Sequence, residues 1–459
     1  MKILNHNIAL AIMLLLVFLS GACNAGIKSK HEVYTGWNTA DSILKLIKEP
    51  SIPKHDYYLN DFGGKGDGIS NNKSAFDSII NICSRNGGGR IIVSSGNYFI
   101  KGPIHLKSNI NLHLQEGSKL SFSNNPKDYL PVVLTSWEGT RLYNYSPFIY
   151  TFRQKNIAIT GTGEIDGEAS ETWAKWKKDQ KEDKLLTRKM NNDNVPLEER
   201  IFGAEHLLRP HLIQFYECEN ILVDGIKITD SPFWCLHLLF SKNIIVRNVK
   251  YDAQNFNNDG IDPESSENIL IENIEFNNQD DNIAVKAGRD LEARTLNRPS
   301  KNIVIRNCKF GGYNAFAVGS EMSGGVHNVF LEDCTFGGNV IYGIYLKGNL
   351  DRGGEVSNIF VRNITFDATE SAILIDSYYN NEGSCCPPLF KNIFIENVKC
   401  NSTRDYGISL IGSEKLHLKN IHIKNVTIKN AAKPITISSV DDLYLKEIQI
   451  NGEDYSKSH

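Results

Sequence analysis

The acidic residues with the most telling spacing are Asp259, in Asn257-Asn258-Asp259-Gly260-Ile261-Asp262, and the pair Asp280 and Asp281, in Gln279-Asp280-Asp281-Asn282. Asp259 and Asp280 stand 21 residues apart. On unrelated loops that separation would carry no information. In a chain that coils with a period close to it, one acid is stacked on the next. Three crowded carboxylates repel one another, so one should keep its proton near neutrality. A proton donor facing ionised carboxylates suits hydrolysis of a glycosidic bond, in which an acid protonates the leaving oxygen and a base activates water.

Whether these acids meet depends on the elements that carry them. A unit of Asn followed by apolar residues recurs along the chain, as in Glu219-Asn220-Ile221-Leu222-Val223, Lys242-Asn243-Ile244-Ile245-Val246 and Glu267-Asn268-Ile269-Leu270-Ile271. From Asn220 to Asn420 the Asn-to-Asn steps are 23, 25, 34, 26, 30, 34 and 28 residues. Recurrence on this scale marks a solenoid. Each unit is a short apolar run, often with a second strand behind it, and almost no helical periodicity lies between the runs. Leucine-rich spacing is absent. The pattern predicts an all-β fold, a single-stranded right-handed parallel β-helix, with the uneven steps taken up by turns of variable length. The repeated Asn is expected at the same bend of every coil, its amide bonding the coils above and below. Cys308 and Cys334 each follow their Asn by six residues. They are expected to fill the interior, with a disulfide as the alternative.

Composition agrees. An apolar content of 41% supports a long core, and 36 glycines suit a fold rich in tight turns. The formal charge of −3 offers no global attraction to an acidic polymer, so an anionic ligand must be gripped by local Lys and Arg. Nothing resembles a basic nucleic-acid-binding run, and no nucleic-acid partner is expected. The Gly-rich segments lack P-loop spacing and read as structural turns.

At the N-terminus, Lys2 precedes a 12-residue apolar run, Ile8 to Leu19, then Ser20-Gly21-Ala22 and Cys23. The run is too short to span a bilayer and fits an export signal. It resembles a bacterial lipoprotein signal, which implies a signal peptide at 1–22 and lipidation of Cys23. The expected location is the periplasm or outer membrane of a Gram-negative bacterium, with membrane contact only through the anchor. Residues 23–54 are expected as a linker and 55–455 as the catalytic β-helix. Asn72 to Arg85 places Ala75, Phe76, Ile79, Ile80, Ile82 and Cys83 on one helical face. That helix should cap the open end of the solenoid. The charged insertion Trp173 to Arg209 should lie over one face and border a substrate groove.

Asn257-Asn258-Asp259-Gly260, Asp280-Asp281 and Ser231-Pro232-Phe233-Trp234 resemble glycoside hydrolase family 28, the polygalacturonase family of inverting pectin hydrolases. The resemblance extends to Asp61-Phe62-Gly63-Gly64-Lys65-Gly66-Asp67-Gly68, Gly161 to Gly167, Gly319-Ser320-Glu321 and Arg352-Gly353-Gly354, covering roughly residues 55 to 430. It implies that Asp280 is the general acid and that Asp259 and Asp281 hold and deprotonate water. Strands ~4.8 Å apart should let acids on adjacent coils reach the ~6.5–9.5 Å separation of inverting enzymes.

Two departures bear on the substrate. Where the family carries Gly-His-Gly this chain has Gly312-Tyr313-Asn314, and where it carries Arg-Ile-Lys this chain has Tyr345-Leu346-Lys347. Lys347 survives, but Tyr345 cannot supply the charge of the Arg that grips a carboxylate beside the cleaved bond. The rhamnogalacturonan hydrolases of the same family similarly lack both. The expected substrate is therefore pectic polysaccharide or oligogalacturonide, with galacturonate or rhamnose on the leaving side and the long insertion favouring exo action. Asn257, Lys286, Arg289, His237, Tyr313 and Tyr345 are the further candidate sugar contacts. The chain is expected to act as a monomer without metal or cofactor. Two other readings remain open: a lyase using carboxylate-bound Ca²⁺ and a basic residue, and an inactive carbohydrate-binding β-helix.

Overall fold

The computed structural model describes residues 36–337 and 340–458. The expected signal peptide and Cys23 lie outside them. The described chain winds into a parallel β-helix, its strands forming sheets of 25 and five strands beside one two-stranded hairpin. The cause is visible in the register. Ile157, Ile221, Ile244, Ile269, Ile303, Val329, Ile359, Ile393 and Ile421 pair laterally in succession. All are buried. No coil could bury such a row alone, and stacking does so for every coil at once.

At the bend before each of these residues, Asn156, Asn220, Asn243, Asn268, Asn302, Asn328, Asn358, Asn392 and Asn420 have φ between 53° and 59°. Asn tolerates this left-handed conformation better than most residues. Each Nδ2 donates to the Oδ1 of the Asn one coil earlier, from Asn156 on Asn109 through to Asn420 on Asn392. Cys308 and Cys334 are buried free thiols, as the filler reading expects. Cys385 and Cys386 are bonded to each other in a surface loop.

The stretch expected as a linker contains a helix, α1 (Asn38–Leu46). The strand motif explains it. Three consecutive apolar residues, as in Ile221-Leu222-Val223, cannot all face the interior of a pleated strand. The middle ones, including Leu222, Ile245, Leu270, Val304, Phe330 and Phe360, form an outward apolar row, and α1 covers it with Ala40 and Ile43, joined by Ile47 just past its end. At the open end, α2 (Lys73–Arg85) buries Ala75, Phe76, Ile79, Ile80 and Cys83, while Ile82 turns partly toward solvent.

The chemistry sits on another face. The antiparallel hairpin of β1 (Val133–Trp137) and β2 (Thr140–Asn144) overlies a stack of parallel strands. These are β3 (Ile213–Tyr216), β4 (Leu236–Leu239), β5 (Ile261–Glu264), β6 (Asn278–Val285), β7 (Gly312–Val318) and β8 (Tyr342–Lys347). The insertion supplies α3 (Lys181–Asn192), and a short helix, α4 (Asp290–Leu296), follows β6. Glu292 ties this cover together, accepting Arg141 and Arg200 at 3.0 Å each while its N–H donates to Asn191.

Candidate active site

Asp259 is held by the turn entering β5. Its carbonyl accepts the Cys235 N–H at 2.8 Å, and the Gly260 N–H donates to the Asp281 carbonyl at 2.9 Å. Gly260 is required by space: a Cβ there would stand 2.5 Å from the Asn282 carbonyl oxygen and 2.7 Å from the Phe276 ring. Asp280 and Asp281 are consecutive, and in a regular strand they would face opposite sides. The pairing of β6 with β7 shifts register between Asn278 and Asp281, and this irregularity lets both carboxyls face the same cavity.

The three acids meet. One carboxylate oxygen from each of Asp259, Asp280 and Asp281 lies within 4.8 Å of the others. Asp280 is the most solvent-accessible of the three. Burial, with the Asp281 charge beside it, raises its pKa and favours the protonated form. Its Oδ2 accepts from Asn257 at 3.1 Å, and its Oδ1 from the Asp281 N–H at 2.9 Å. Asp281 receives Lys347 Nζ at 2.8 Å and Asn314 Nδ2 at 2.8 Å.

Lys286 is the hub of the other side. Its ammonium stands 3.3 Å from Asp259, 3.5 Å from Asp262 and 3.5 Å from Glu321, and 4.4 Å from the centre of the Trp234 ring. Burial alone would depress its pKa, but Asp259, Asp262 and Glu321 overturn that and hold it charged. Asp259 and Asp262 are both pushed well up, by burial first; for Asp259 the next causes are the charges of Asp262 and Asp280. Asp262 is sealed from solvent and neither of its oxygens has a hydrogen-bond partner. Glu321 is held well below the usual carboxylate range, because Lys286, Arg289 and Arg352 outweigh its burial. Glu138, at the hairpin turn, is lowered to about 2 by Lys184 and Arg289 against the opposing effect of burial.

These side chains line a cavity of about 260 Å³. Asn257, Lys286, Arg289 and Lys347, four of the expected contacts, line it with the three acids. The others do not. His237 is fully buried under the hairpin, bonded to Gln214 and Glu264 at 2.9 and 2.8 Å, and cannot reach a sugar. Burial lowers its pKa to about 3, so it is neutral. Tyr345 stands behind the wall, its ring centre 5.3 Å from Lys347 Nζ and its hydroxyl 3.5 Å from Asp376. Tyr313 is exposed outside the cavity.

Several lining residues were not singled out from sequence: Glu138, Lys177, Lys184, Arg188 and Tyr379. They arrive on the hairpin, the insertion and a loop, none of which repeats. For Lys177, Lys184 and Arg188 the signal available was the charge of the insertion. The acid cluster could also be asked to hold a cation. Lys286 and Lys347 already stand against Asp259 and Asp281, and a divalent ion would have to displace both ammonium groups to gather its six to eight oxygen ligands.

A parallel β-helix carrying clustered, partly protonated carboxyls on one covered face defines a carbohydrate-hydrolysing solenoid. Comparison places it further. The model for glycosyl hydrolases family 28 matches residues 83–444, and the chain belongs to that family and is a glycoside hydrolase. It is 29% identical over 391 residues to a probable polygalacturonase of Vitis vinifera, covering 82% of this chain and 71% of that one. An exo-poly-α-D-galacturonosidase of Dickeya chrysanthemi is 27% identical over 410 residues, covering 79% of this chain and 65% of that one. Among solved structures, a hyperthermoactive exopolygalacturonase from Thermotoga maritima is 38% identical with a TM-score of 0.86, covering 90% of this chain and 96% of that one.

Proposed function

We propose that this enzyme removes galacturonate from the ends of pectic galacturonan chains, by hydrolysis with inversion. The closure of the cavity carries the exo reading. Glu138 walls it from the hairpin, and Lys184 and Arg188 wall it from α3. Arg188 reaches across to Glu382 at 3.4 Å. The volume is below the roughly 300–1,000 Å³ usual for a ligand pocket, which fits one terminal sugar rather than a threaded chain. Similarity over nearly the full length of both chains to an exopolygalacturonase supports the same reading.

In this mechanism Asp280 donates the proton to the leaving oxygen, and Asp259 and Asp281 hold the attacking water. Lys286 stands 3.3 Å from Asp259 and 3.5 Å from Asp262, so its charge favours ionisation of both against their burial. Of the two only Asp259 lines the cavity, and it acts as base. The enzyme works outside the cytoplasm, in keeping with the export signal expected at 1–22 and the anchor at Cys23. A retaining reaction is the second reading: one oxygen from each acid lies within 4.8 Å of the others, an approach that the roughly 5–5.5 Å spacing of a retaining pair also permits.

Following polygalacturonate digestion by chromatography and by proton NMR tests both points. Release of small product from the first moments, while the polymer stays long, is expected, with the new end in the anomeric form opposite to the substrate linkage. A rapid fall in polymer length would overturn exo action. Retained configuration would establish the second reading.

A further inference from the structure

Six cations that line the catalytic cavity, Lys184, Arg188, Lys286, Arg289, Lys347 and Arg352, are each paired with a carboxylate. Lys177 is different. Its Nζ donates to Asn257 Oδ1 at 2.7 Å, and among the described residues no carboxylate forms an ion pair with it. Burial, then the charges of Arg209 and Lys184, lower its pKa, as befits a cation short of compensation. Asn257 passes the contact on, donating to Asp280 at 3.1 Å.

Lys177 also lines a second cavity, of about 420 Å³, with Lys175, Lys178, Gln254, Asn255 and Phe256. Phe256 is 62% exposed. Lys175 and Lys178 meet only solvent-exposed partners, Glu171 at 2.8 Å and Asp179 at 4.0 Å, pairs that contribute little and can be exchanged for a ligand. An exposed aromatic face beside three ammonium groups matches an acidic sugar, whose C–H face packs on the ring and whose carboxylate meets the charge.

We propose that Lys175, Lys177, Lys178 and Phe256 form a subsite for a uronate sugar on the leaving side of the cleaved bond. The inference rests on the galacturonan reading above. Lys177 joins this cavity to the catalytic one through Asn257, which is bonded to the acid that must touch the leaving oxygen. The insertion thereby supplies the positive charge that the chain gave up with Tyr345, at a position the family motif does not mark.

The test compares digalacturonate with its reducing-end methyl ester as substrates for the wild type, the double variant Lys175→Gln/Lys178→Gln, and Phe256→Ala. All three side chains altered are exposed, and equal melting temperatures check that the fold is kept. The wild type should show a KM about tenfold higher for the ester, as expected when two or three modest charge contacts are lost together. The double variant, which keeps Lys177, should discriminate acid from ester much less than the wild type does, Phe256→Ala should raise KM for both, and kcat should fall far less than KM rises. Equal discrimination in wild type and double variant would overturn the subsite. A wild type inactive on digalacturonate and polygalacturonate alike would overturn the galacturonan reading beneath it.

Discussion

Two sides of one solenoid handle buried polarity in opposite ways. Along the Asn corner each coil from Asn109 to Asn420 presents the same amide, and each donor finds an identical acceptor one coil away. An amide can do this because it carries both donor and acceptor. Charge cannot, since like charges stacked ~4.8 Å apart repel. On the catalytic face each coil therefore needs a different partner: Lys286, just past β6, for Asp259, Lys347, at the end of β8, for Asp281, and, for Glu138 on the hairpin, Lys184 from the insertion and Arg289. Repetition builds a scaffold, and its interruption builds a site.

The comparison can be broken at several points. The largest effect is expected from Asp280→Asn, which removes the proton donor and should lower kcat by about 10²–10⁴ with the melting temperature nearly kept; a fall below tenfold would remove Asp280 from the acid role. Lys286→Met strands Asp259, Asp262 and Glu321 without their shared cation. Denaturant unfolding should register a loss of about 3–5 kcal/mol, and an unchanged midpoint would mean the acids compensate one another by protonation. On the regular side, Asn302→Ala should cost about 2–3 kcal/mol, from a left-handed backbone and two lost amide contacts. Asn302→Gly should recover the backbone part, and equal losses in both variants would assign the whole cost to the amides.

A smaller effect is expected from the pair buried beneath the hairpin. Burial raises Glu264 to about 8, and Glu321 adds to the rise. Its contribution is complete below the ordinary value of 4.5 and is lost as pH rises toward 8. His237, lowered to about 3, contributes above 6.5 and loses that contribution as pH falls. Of this pair only Glu264 slopes between pH 6.5 and 8, so the wild type should lose stability there and Glu264→Gln should make the loss shallower. The mildest change should be Asp262→Asn. A buried carboxyl that does not line the cavity is replaced by a neutral group of the same shape, and activity should fall much less than in Asp259→Asn.

The same contrast explains what could be read in advance. The winding, the Asn bonds and the approach of Asp259 to the Asp280-Asp281 pair follow from a repeat, so spacing exposes them, whereas the shared facing of Asp280 and Asp281 needs the register shift that no spacing announces. The helix α1 is not announced by the repeat: Leu222 and its counterparts make three apolar residues in a row, but nothing in their spacing says which segment covers the outward one. His237 was misjudged for a related reason. It lies in the outward register of β4, beside Asp262 of β5, and only the overlying hairpin turns that outward place into an interior. Glu138, Lys184 and Arg188 were out of reach because no period links them to the acids they face.

The displaced register between Asn278 and Asp281 has one last implication. It is the single kink that lets two successive side chains lean out of the same doorway. Removing one residue there would keep the Asp-Asp signature intact while swinging one carboxyl into the hydrophobic shaft. Such a protein would still match its relatives letter by letter at the motif, yet it would be a silent tube.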